Sequence, residues 1–330
     1  MRALVATGHG GPEVLALRDD HPEPVPGPHD LLVAVRACGL NPVDVKVREG
    51  RYGAREQPYV LGYDVCGVVR AVGSAVGDFA PGDSVYVSPG RLRDGGYAEL
   101  VCVDARLAAH KPARLDHVAA AALPLVVLTA WEALLDRARI HAGETVLVHA
   151  GAGGVGHVAL QLARHRRARV LTTASRPETQ ALCRELGAHV VIDHRSEDFV
   201  ARVLEETGGR GAEVVFDTVG GETFDRSLEC VALNGRMVTI VANESRVISQ
   251  RLFQRNATLI YEYMGVPGIH GVGFERQAEI LRLAAGLADA GALRPHVSRV
   301  VALEEVPSAL AEIAAGRAIG KFVARIAEAD

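Results

Sequence analysis

A glycine-rich turn between an apolar strand and a helix is the feature that most constrains the fold. In TVLVHAGAGGVGHVALQLA, residues 145–163, three glycines satisfy the spacing G-x-G-x-x-G. They permit a tight turn, close approach of the backbone to a pyrophosphate, and close packing of helix on strand. The helix N-terminus presents N–H groups to the phosphates. We therefore predict dinucleotide binding rather than a turn needed only for packing. The predicted contacts are Gly151, Ala152, Gly153, Gly154, Val155 and Gly156.

The pattern of short elements changes along the chain. Residues 1–120 contain short strand-like runs separated by glycine and proline, which predicts a partly antiparallel, barrel-like domain. Residues 123–264 alternate apolar strands with amphipathic helices. This alternation is typical of a doubly wound parallel sheet, so the fold class is α/β with a second, β-rich domain.

The end of the second strand of the parallel sheet indicates which dinucleotide binds. NAD sites place an acidic residue there, on the ribose 2′-hydroxyl. This chain has Ser175 and Arg176 instead. A hydroxyl and a guanidinium suit a 2′-phosphate, which favours NADPH. The alternative is a surface arginine at the start of a solvated helix, with NAD tolerated.

Composition and charge exclude several function classes. Hydrophobic residues make up 48% of the 330 residues, enough for large cores, and the net charge of -4 gives no attraction to nucleic acid or an anionic membrane. The longest apolar stretch, residues 119–130, is too short to cross a bilayer. The five cysteines are scattered without a CxxC pair, which indicates reduced thiols and a cytoplasmic location.

Several motifs in order resemble the zeta-crystallin-type quinone oxidoreductases of the medium-chain dehydrogenase/reductase superfamily. They are NPVDVKVREGRY (41–52), LGYDVCGVV (61–69), PGDSVYV (81–87), GGYAEL (95–100), LPLVVLTAWEAL (123–134), the glycine-rich segment and GKFVARI (320–326). The resemblance implies a discontinuous GroES-like catalytic domain, 1–122 with 266–330, and a Rossmann domain, 123–265. It also implies that the nicotinamide lies in the cleft between them.

Some members of that superfamily bind catalytic zinc, so the ligand positions decide whether this chain does. By resemblance, the three ligands would fall at Asn41, at Tyr63 and near Leu125. None of these side chains can replace a thiolate or imidazole on zinc. We therefore expect no metal.

The resemblance also assigns roles to individual side chains. Asn41, Thr129 and Lys321 would contact the cofactor, and His194 would replace a tyrosine that contacts the 2′-phosphate. As alternatives, Asn41 starts a helix before Pro42, Thr129 is an ordinary helix hydroxyl, and His194 faces solvent.

Two further side chains are candidates for catalysis beside Asn41. Tyr52 would lie at the substrate mouth, where its phenol could hydrogen-bond a carbonyl oxygen and supply a proton. Lys46 replaces an aromatic residue of many relatives and could polarise a carbonyl. In the alternative interpretations Tyr52 is a half-buried wall residue and Lys46 an exposed helix lysine.

The resulting functional prediction is zinc-independent hydride transfer from NADPH to a quinone or α,β-unsaturated carbonyl. One alternative is an enoyl-thioester reductase, although Thr179 and Ser196 stand where those enzymes carry lysine and aspartate. Another is a non-catalytic NADPH-binding scaffold or sensor. The strand-like tract LIYEYM (259–264), late in the sheet, predicts an edge that a second subunit covers, and hence a homodimer.

Overall fold

A computed structural model describes residues 1–53, 55–242 and 248–327, without the side chains of 248 and 249. The chain divides into two compact units. We call Met1–Leu128 with Gly265–Asp330 the two-segment unit, and Thr129–Met264 the central unit. The first boundary, predicted at 122/123, lies six residues before the structural division at 128/129. The second, predicted at 265/266, lies one residue after the division at 264/265.

The first segment of the two-segment unit is rich in strands. Its strands are β1 (Ala3–Ala6), β2 (Leu15–Arg18), β3 (Asp30–Gly39), β4 (Tyr59–Val60), β5 (Val65–Val72), β6 (Ser84–Val87), β7 (Leu100–Asp104) and β8 (Ala109–His110). Its helices are α1 (Pro42–Arg48), α2 (His117–Ala121) and α3 (Pro124–Trp131), the last of which continues into the central unit.

Strands and helices alternate in the central unit. Its strands are β9 (Thr145–Val148), β10 (Arg169–Thr173), β11 (Val190–Ile192), β12 (Ala212–Asp217), β13 (Val231–Thr239) and β14 (Thr258–Tyr261). Its helices are α4 (Gly156–His165), α5 (Pro177–Glu185), α6 (Phe199–Glu206), α7 (Gly221–Ser227) and α8 (Ile248–Arg255), with a π-helical turn, Glu132–Arg137, after α3.

The final segment returns to the two-segment unit. It contains α9 (Val266–His270), α10 (Phe274–Asp289), β15 (Val297–Ala302), α11 (Val306–Ala314) and β16 (Lys321–Arg325). Short 3₁₀ turns occur at Pro12–Val14, Ala105–Leu107 and Leu303–Glu305.

The described strands of the central unit form one parallel sheet in the order β11-β10-β9-β12-β13-β14. Val146, Leu147 and Val148 of β9 are fully buried, because a central parallel strand has helices on both faces. The predicted doubly wound sheet is confirmed. The strand order reverses direction between β9 and β12, and ligands bind at the carboxyl ends of strands beside such a switch point.

The two-segment unit is built around antiparallel pairs. In the described residues, one sheet has the order β15-β16-β3-β5-β6-β8, with β7 also paired to β3. β16 from the final segment pairs antiparallel with β3, which ties the chain's last strand to its first segment. Leu31, Val33 and Val35 of β3 lie in the core. A separate small sheet, β2-β1-β4, was not foreseen from the sequence.

No helix among residues 1–53, 55–242 and 248–327 is long and apolar enough to cross a membrane.

Candidate functional site

The glycine turn, residues 151–156, connects β9 to α4. The backbone N–H of Gly151 donates to the Thr173 carbonyl of β10 at 3.2 Å. A Cβ at Gly151 would lie 2.1 Å from Thr172 Oγ1, and one at Gly156 would lie 2.2 Å from the Ala150 carbonyl oxygen. These two glycines are therefore required by the packing of the turn against the sheet and the helix.

Gly153 differs from the other two glycines of the motif. A Cβ added to Gly153 would lie 3.1 Å from its nearest neighbour, the Ala150 carbonyl oxygen, and the residue is partly exposed. No side chain caps the N-terminus of α4, which begins just beyond. Ala150, before the turn, has φ of 50°, an unusual value for a residue with a side chain and one found often at binding sites. The partly exposed glycine and the helix N-terminus without a side-chain cap fit a pyrophosphate.

A pocket of about 370 Å³ lies beside the glycine turn, and we call it the turn pocket. Its lining includes His149, Ala150, Thr173, His194, Val219 and Glu222. The structure thus brings the predicted contact His194, which is exposed, to the same pocket as Ala150, the residue just before the turn. Thr173 and Val219 were not predicted from the sequence. Their positions at or just after the carboxyl ends of β10 and β12 are the signal that could have identified them.

His149 forms the buried wall of the turn pocket. Its Nε2 lies 2.8 Å from Ser227 Oγ, and Ser227 Oγ donates to the Thr223 carbonyl at 2.6 Å. Its Nδ1 lies 3.3 Å from Thr173 Oγ1. Both ring nitrogens are therefore satisfied in a neutral imidazole, with the proton on Nε2. Burial, and then the neighbouring His194, lower the pKa of His149 to about 3.

Ser175 and Arg176 follow the end of β10 after Ala174, as predicted, and both are partly exposed. The Arg176 backbone N–H donates to Thr179 Oγ1 at 3.1 Å, which starts α5. The Arg176 guanidinium lies 3.4 Å from the carboxylate of Glu178, another exposed side chain. Such a pair contributes little and leaves the arginine able to exchange partners.

In the two-segment unit, Asn41, Asp64 and Lys321 form a buried group that we call the lysine cluster. The Lys321 ammonium donates to Asp64 Oδ2 at 2.7 Å and to Asn41 Oδ1 at 2.5 Å. Asn41 Nδ2 also donates to Asp64 Oδ2, at 2.7 Å. Asn41 stands at the N-cap of α1, as predicted, but its side-chain amide belongs to this cluster. A buried ammonium is stable here because a carboxylate pairs with it.

Asp44 and Tyr97 lie next to the lysine cluster. Asp44 Oδ2 accepts from the backbone N–H of Asn41 at 2.7 Å and from the Tyr97 hydroxyl at 3.0 Å. Its other oxygen accepts from Gly62 N–H at 3.1 Å. Burial raises the pKa of Asp44 to about 7, and the hydrogen bonds partly oppose that rise.

Two of the three positions at which relatives carry zinc ligands contact the Asp64 carboxylate. This carboxylate contacts Asn41, as above, and the Leu125 N–H at 2.6 Å, and Tyr63 precedes Asp64 in the chain. In the described part of the chain, no group of three or more histidine, cysteine, aspartate or glutamate side chains is placed to hold a metal. The positive charge beside Asp64 is the Lys321 ammonium.

The remaining predicted site residues lie in less constrained surroundings. Tyr52 is 36% exposed, and the Arg91 guanidinium stacks 4.7 Å from its ring centroid. Lys46 is partly exposed on α1. Thr129 is buried in α3 and begins the central unit. The structure therefore joins Asn41 with Lys321, and it places His194 on the same pocket as Ala150, whereas the described contacts of Tyr52 include Arg91.

Two protein-family models match the chain. The alcohol dehydrogenase GroES-like domain matches residues 27–113, within the two-segment unit. A family described as zinc-binding dehydrogenase matches residues 186–323.

Individual relatives extend the similarity over nearly the whole chain. The quinone oxidoreductase of Homo sapiens is 34% identical over 98% of this chain and 97% of its own length. A solved mycobacterial structure complexed with NADPH has a TM-score of 0.89 and 35% identity, and the alignment covers 99% of this chain and all of that one. The phthioceranic/hydroxyphthioceranic acid synthase of Mycobacterium bovis is 40% identical over 73% of this chain, but that match covers 11% of the synthase.

Proposed function

We propose that this chain reduces quinones or α,β-unsaturated carbonyls with NADPH, without zinc. It belongs to the quinone oxidoreductases of the medium-chain dehydrogenase/reductase superfamily. It is thus an oxidoreductase rather than a non-catalytic scaffold. The observation that carries the proposal is the glycine turn, in which Gly153 is less tightly packed than Gly151 and Gly156 and lies just before a helix N-terminus that no side chain caps. That arrangement fits a bound pyridine dinucleotide.

The residues that would hold the pyrophosphate and the adjacent nucleoside lie at the carboxyl ends of strands of the central sheet. The backbone of 151–156 would contact the pyrophosphate, and the turn pocket would receive the adjacent nucleoside. When bound, NADPH supplies a hydride from its nicotinamide ring. The protein's contribution is to orient the acceptor and to exclude water from it.

The preference for NADPH rests on charge. Ser175 and Arg176 follow β10 with no carboxylate between them, and His194 lies on the turn pocket. A 2′-phosphate would replace Glu178 as the partner of Arg176 and gain charge-assisted hydrogen bonds. In this proposal Thr129, Asn41 and Lys321 serve the nicotinamide end.

Zinc independence rests on the lysine cluster. A cation already neutralises Asp64, and the amide oxygen of Asn41 accepts from the same ammonium. A divalent ion in its place would have to displace Lys321 from a site where neither Asn41 nor Tyr63 offers a zinc ligand of the usual kind.

Two candidate classes of hydride acceptor have to be tested with separate substrates. The match to the mycobacterial synthase favours an enoyl thioester as the second candidate acceptor. However, Thr179, at the position where such enzymes carry lysine, is buried and bonded to the Arg176 backbone. Thr179 therefore offers no ammonium at that position, which favours a quinone or a simple enone.

The direct test is steady-state oxidation of NADPH and NADH with a quinone, an α,β-unsaturated ketone and an enoyl thioester. We expect turnover of the first two with NADPH. Arg176→Ala should weaken NADPH by about ten- to a hundredfold, the value of a charge-assisted contact, and leave NADH nearly unchanged. Arg184→Ala, on the same helix α5, is the matched control and should change neither. Equal use of both cofactors by the unmodified protein would contradict the cofactor proposal.

The proposed assembly is a homodimer. β14 is at the end of the described sheet order, and Tyr261 on it is 48% exposed. A second copy pairing there would cover the edge. Light scattering at micromolar concentration should give twice the chain mass, and a monomeric mass would contradict the proposal.

A further inference from the structure

The four fully buried tyrosines of the two-segment unit use their hydroxyl groups differently. Tyr97 donates to Asp44 Oδ2 at 3.0 Å, and Tyr86 donates to the Leu281 carbonyl at 2.5 Å. Tyr59 has the Gly8 carbonyl at 3.5 Å and His9 Nδ1 at 3.3 Å. Each of these three protons therefore has an acceptor within the chain.

Tyr63 is the exception among these tyrosines. Its oxygen accepts from Arg55 Nη1 at 3.1 Å, and no acceptor for its own proton is present among residues 1–53, 55–242 and 248–327. The side chain is 2% exposed, so the proton is not simply solvated. A buried donor without a partner costs about 1–3 kcal/mol, and such a group is a site at which to expect an external acceptor.

Arg55 is held firmly enough to direct that hydroxyl. Its guanidinium stacks 4.5 Å from the Tyr59 ring centroid, and its Nη2 donates to Asp94 Oδ1 at 3.3 Å. Asp94 Oδ1 in turn accepts from the Val60 N–H at 2.9 Å, at β4. A cation that donates to the phenolic oxygen withdraws electron density from the O–H bond and makes it a stronger donor.

Tyr63 is also next to the lysine cluster, since Asp64 follows it in the chain and binds Asn41 and Lys321. We propose that Tyr63, polarised by Arg55, is the catalytic hydrogen-bond donor to the carbonyl oxygen of the acceptor. The proposal rests on the reductase function proposed above. Tyr52, the candidate from the sequence, is the competing donor.

The reaction balances without proton transfer from Tyr63. With an enone, the hydride adds to the β-carbon, the C=C π bond breaks, and its electrons move to the carbonyl oxygen as an enolate. Water then protonates the α-carbon, so that one NADPH and one proton give NADP⁺ and the saturated ketone. Tyr63 donates a hydrogen bond to the enolate oxygen as its charge develops. Burial raises the pKa of the Tyr63 phenol, so it keeps its proton throughout.

The test compares three variants that each remove one hydroxyl: Tyr63→Phe, Tyr52→Phe and the control Tyr86→Phe. With an α,β-unsaturated ketone, Tyr63→Phe should lower kcat by about ten- to a thousandfold, the range for one oxyanion donor or proton-transfer group. NADPH affinity and substrate KM should change much less. Tyr86→Phe should lower the Tm, because it removes the buried hydrogen bond to the Leu281 carbonyl, and leave kcat within about twofold.

A second pair of variants applies if Tyr63→Phe does not fold. Arg55→Met removes the cation and should lower kcat by about tenfold or more, whereas Arg55→Lys should recover part of the loss. Equal kcat in Tyr63→Phe and Tyr86→Phe would overturn the proposal, as would equal kcat in Arg55→Met and the unmodified protein. A loss confined to Tyr52→Phe would also overturn it and leave the reductase function intact. Absence of turnover in the unmodified protein would contradict both the role of Tyr63 and the proposed reductase function.

Discussion

The glycine turn of the central unit and the lysine cluster of the two-segment unit are assembled in opposite ways. The turn is local: its three motif glycines lie within six consecutive residues, and the contacts that fix it come from β10 and from Ala150. The lysine cluster is formed at long range, since Lys321 is 257 residues from Asp64 and 280 from Asn41. The turn is made of backbone, whereas the cluster depends on buried charges.

This difference predicts how substitutions in each region should affect stability. A turn made by steric fit should tolerate a change where space exists and resist one where it does not. A buried charge cluster should respond to which partners remain, because an unpaired charge costs more than a missing pair. Three sets of variants separate these behaviours.

The largest effect should come from Lys321→Met. The substitution leaves the Asp64 carboxylate buried without its cation, which should cost about 3–5 kcal/mol of unfolding free energy. The double variant Lys321→Met with Asp64→Asn removes both charges and should cost clearly less. Urea unfolding of both measures the difference. If the single and double variants were equally stable, the cluster would not be a charge pair.

The glycine turn should show a smaller and more selective response. Gly151→Ala places its Cβ 2.1 Å from Thr172 Oγ1, which is fixed by its hydrogen bond to the Val148 carbonyl, and should cost about 1–3 kcal/mol. Gly153→Ala places its Cβ 3.1 Å from the Ala150 carbonyl oxygen, which requires a shift of only a few tenths of an ångström, so it should cost less stability than Gly151→Ala but weaken NADPH binding. Thermal melts and NADPH titration separate the two effects. Unchanged NADPH affinity in Gly153→Ala would show that the cofactor backbone does not approach this residue.

The most gradual effect is a pH dependence in the central unit, spread between pH 6.5 and about 3. His149 has its pKa lowered from 6.5 to about 3, so its contribution to stability is complete above pH 6.5. As pH falls from 6.5 toward 3, the unfolded chain binds a proton that the native state does not, and the free energy of unfolding should decrease by roughly 1 kcal/mol per pH unit. His149→Asn should reduce this slope, and the exposed control His165→Asn should not. Identical slopes in all three proteins would mean that His149 titrates normally in the fold.

The same contrast explains what the sequence could predict. The glycine turn, the alternation around it and the start of α1 at Pro42 are local patterns, and the structure contains each of them. Asn41 was recognised as a helix start, but its bond to Lys321 depends on how β16 pairs with β3. No local pattern encodes that pairing.

The role proposed for the Tyr63 hydroxyl could not be predicted from the sequence either. Tyr63 was considered only as a residue that cannot bind zinc, because the position of Arg55 near its oxygen follows from the packing of the loop before β4. His149 was adjacent to the motif, yet its partners Thr173 and Ser227 come from β10 and α7. Side-chain partners of this kind are fixed by tertiary packing, which periodicity does not reveal.

The most direct test of the central claim is to measure zinc content and NADPH-dependent turnover on one purified sample. The account predicts turnover of a quinone or an α,β-unsaturated ketone with no stoichiometric zinc, and the same rate after dialysis against a chelator, because the Lys321 ammonium occupies the charge site beside Asp64. Turnover that is lost with the chelator and restored in proportion to added zinc would contradict it.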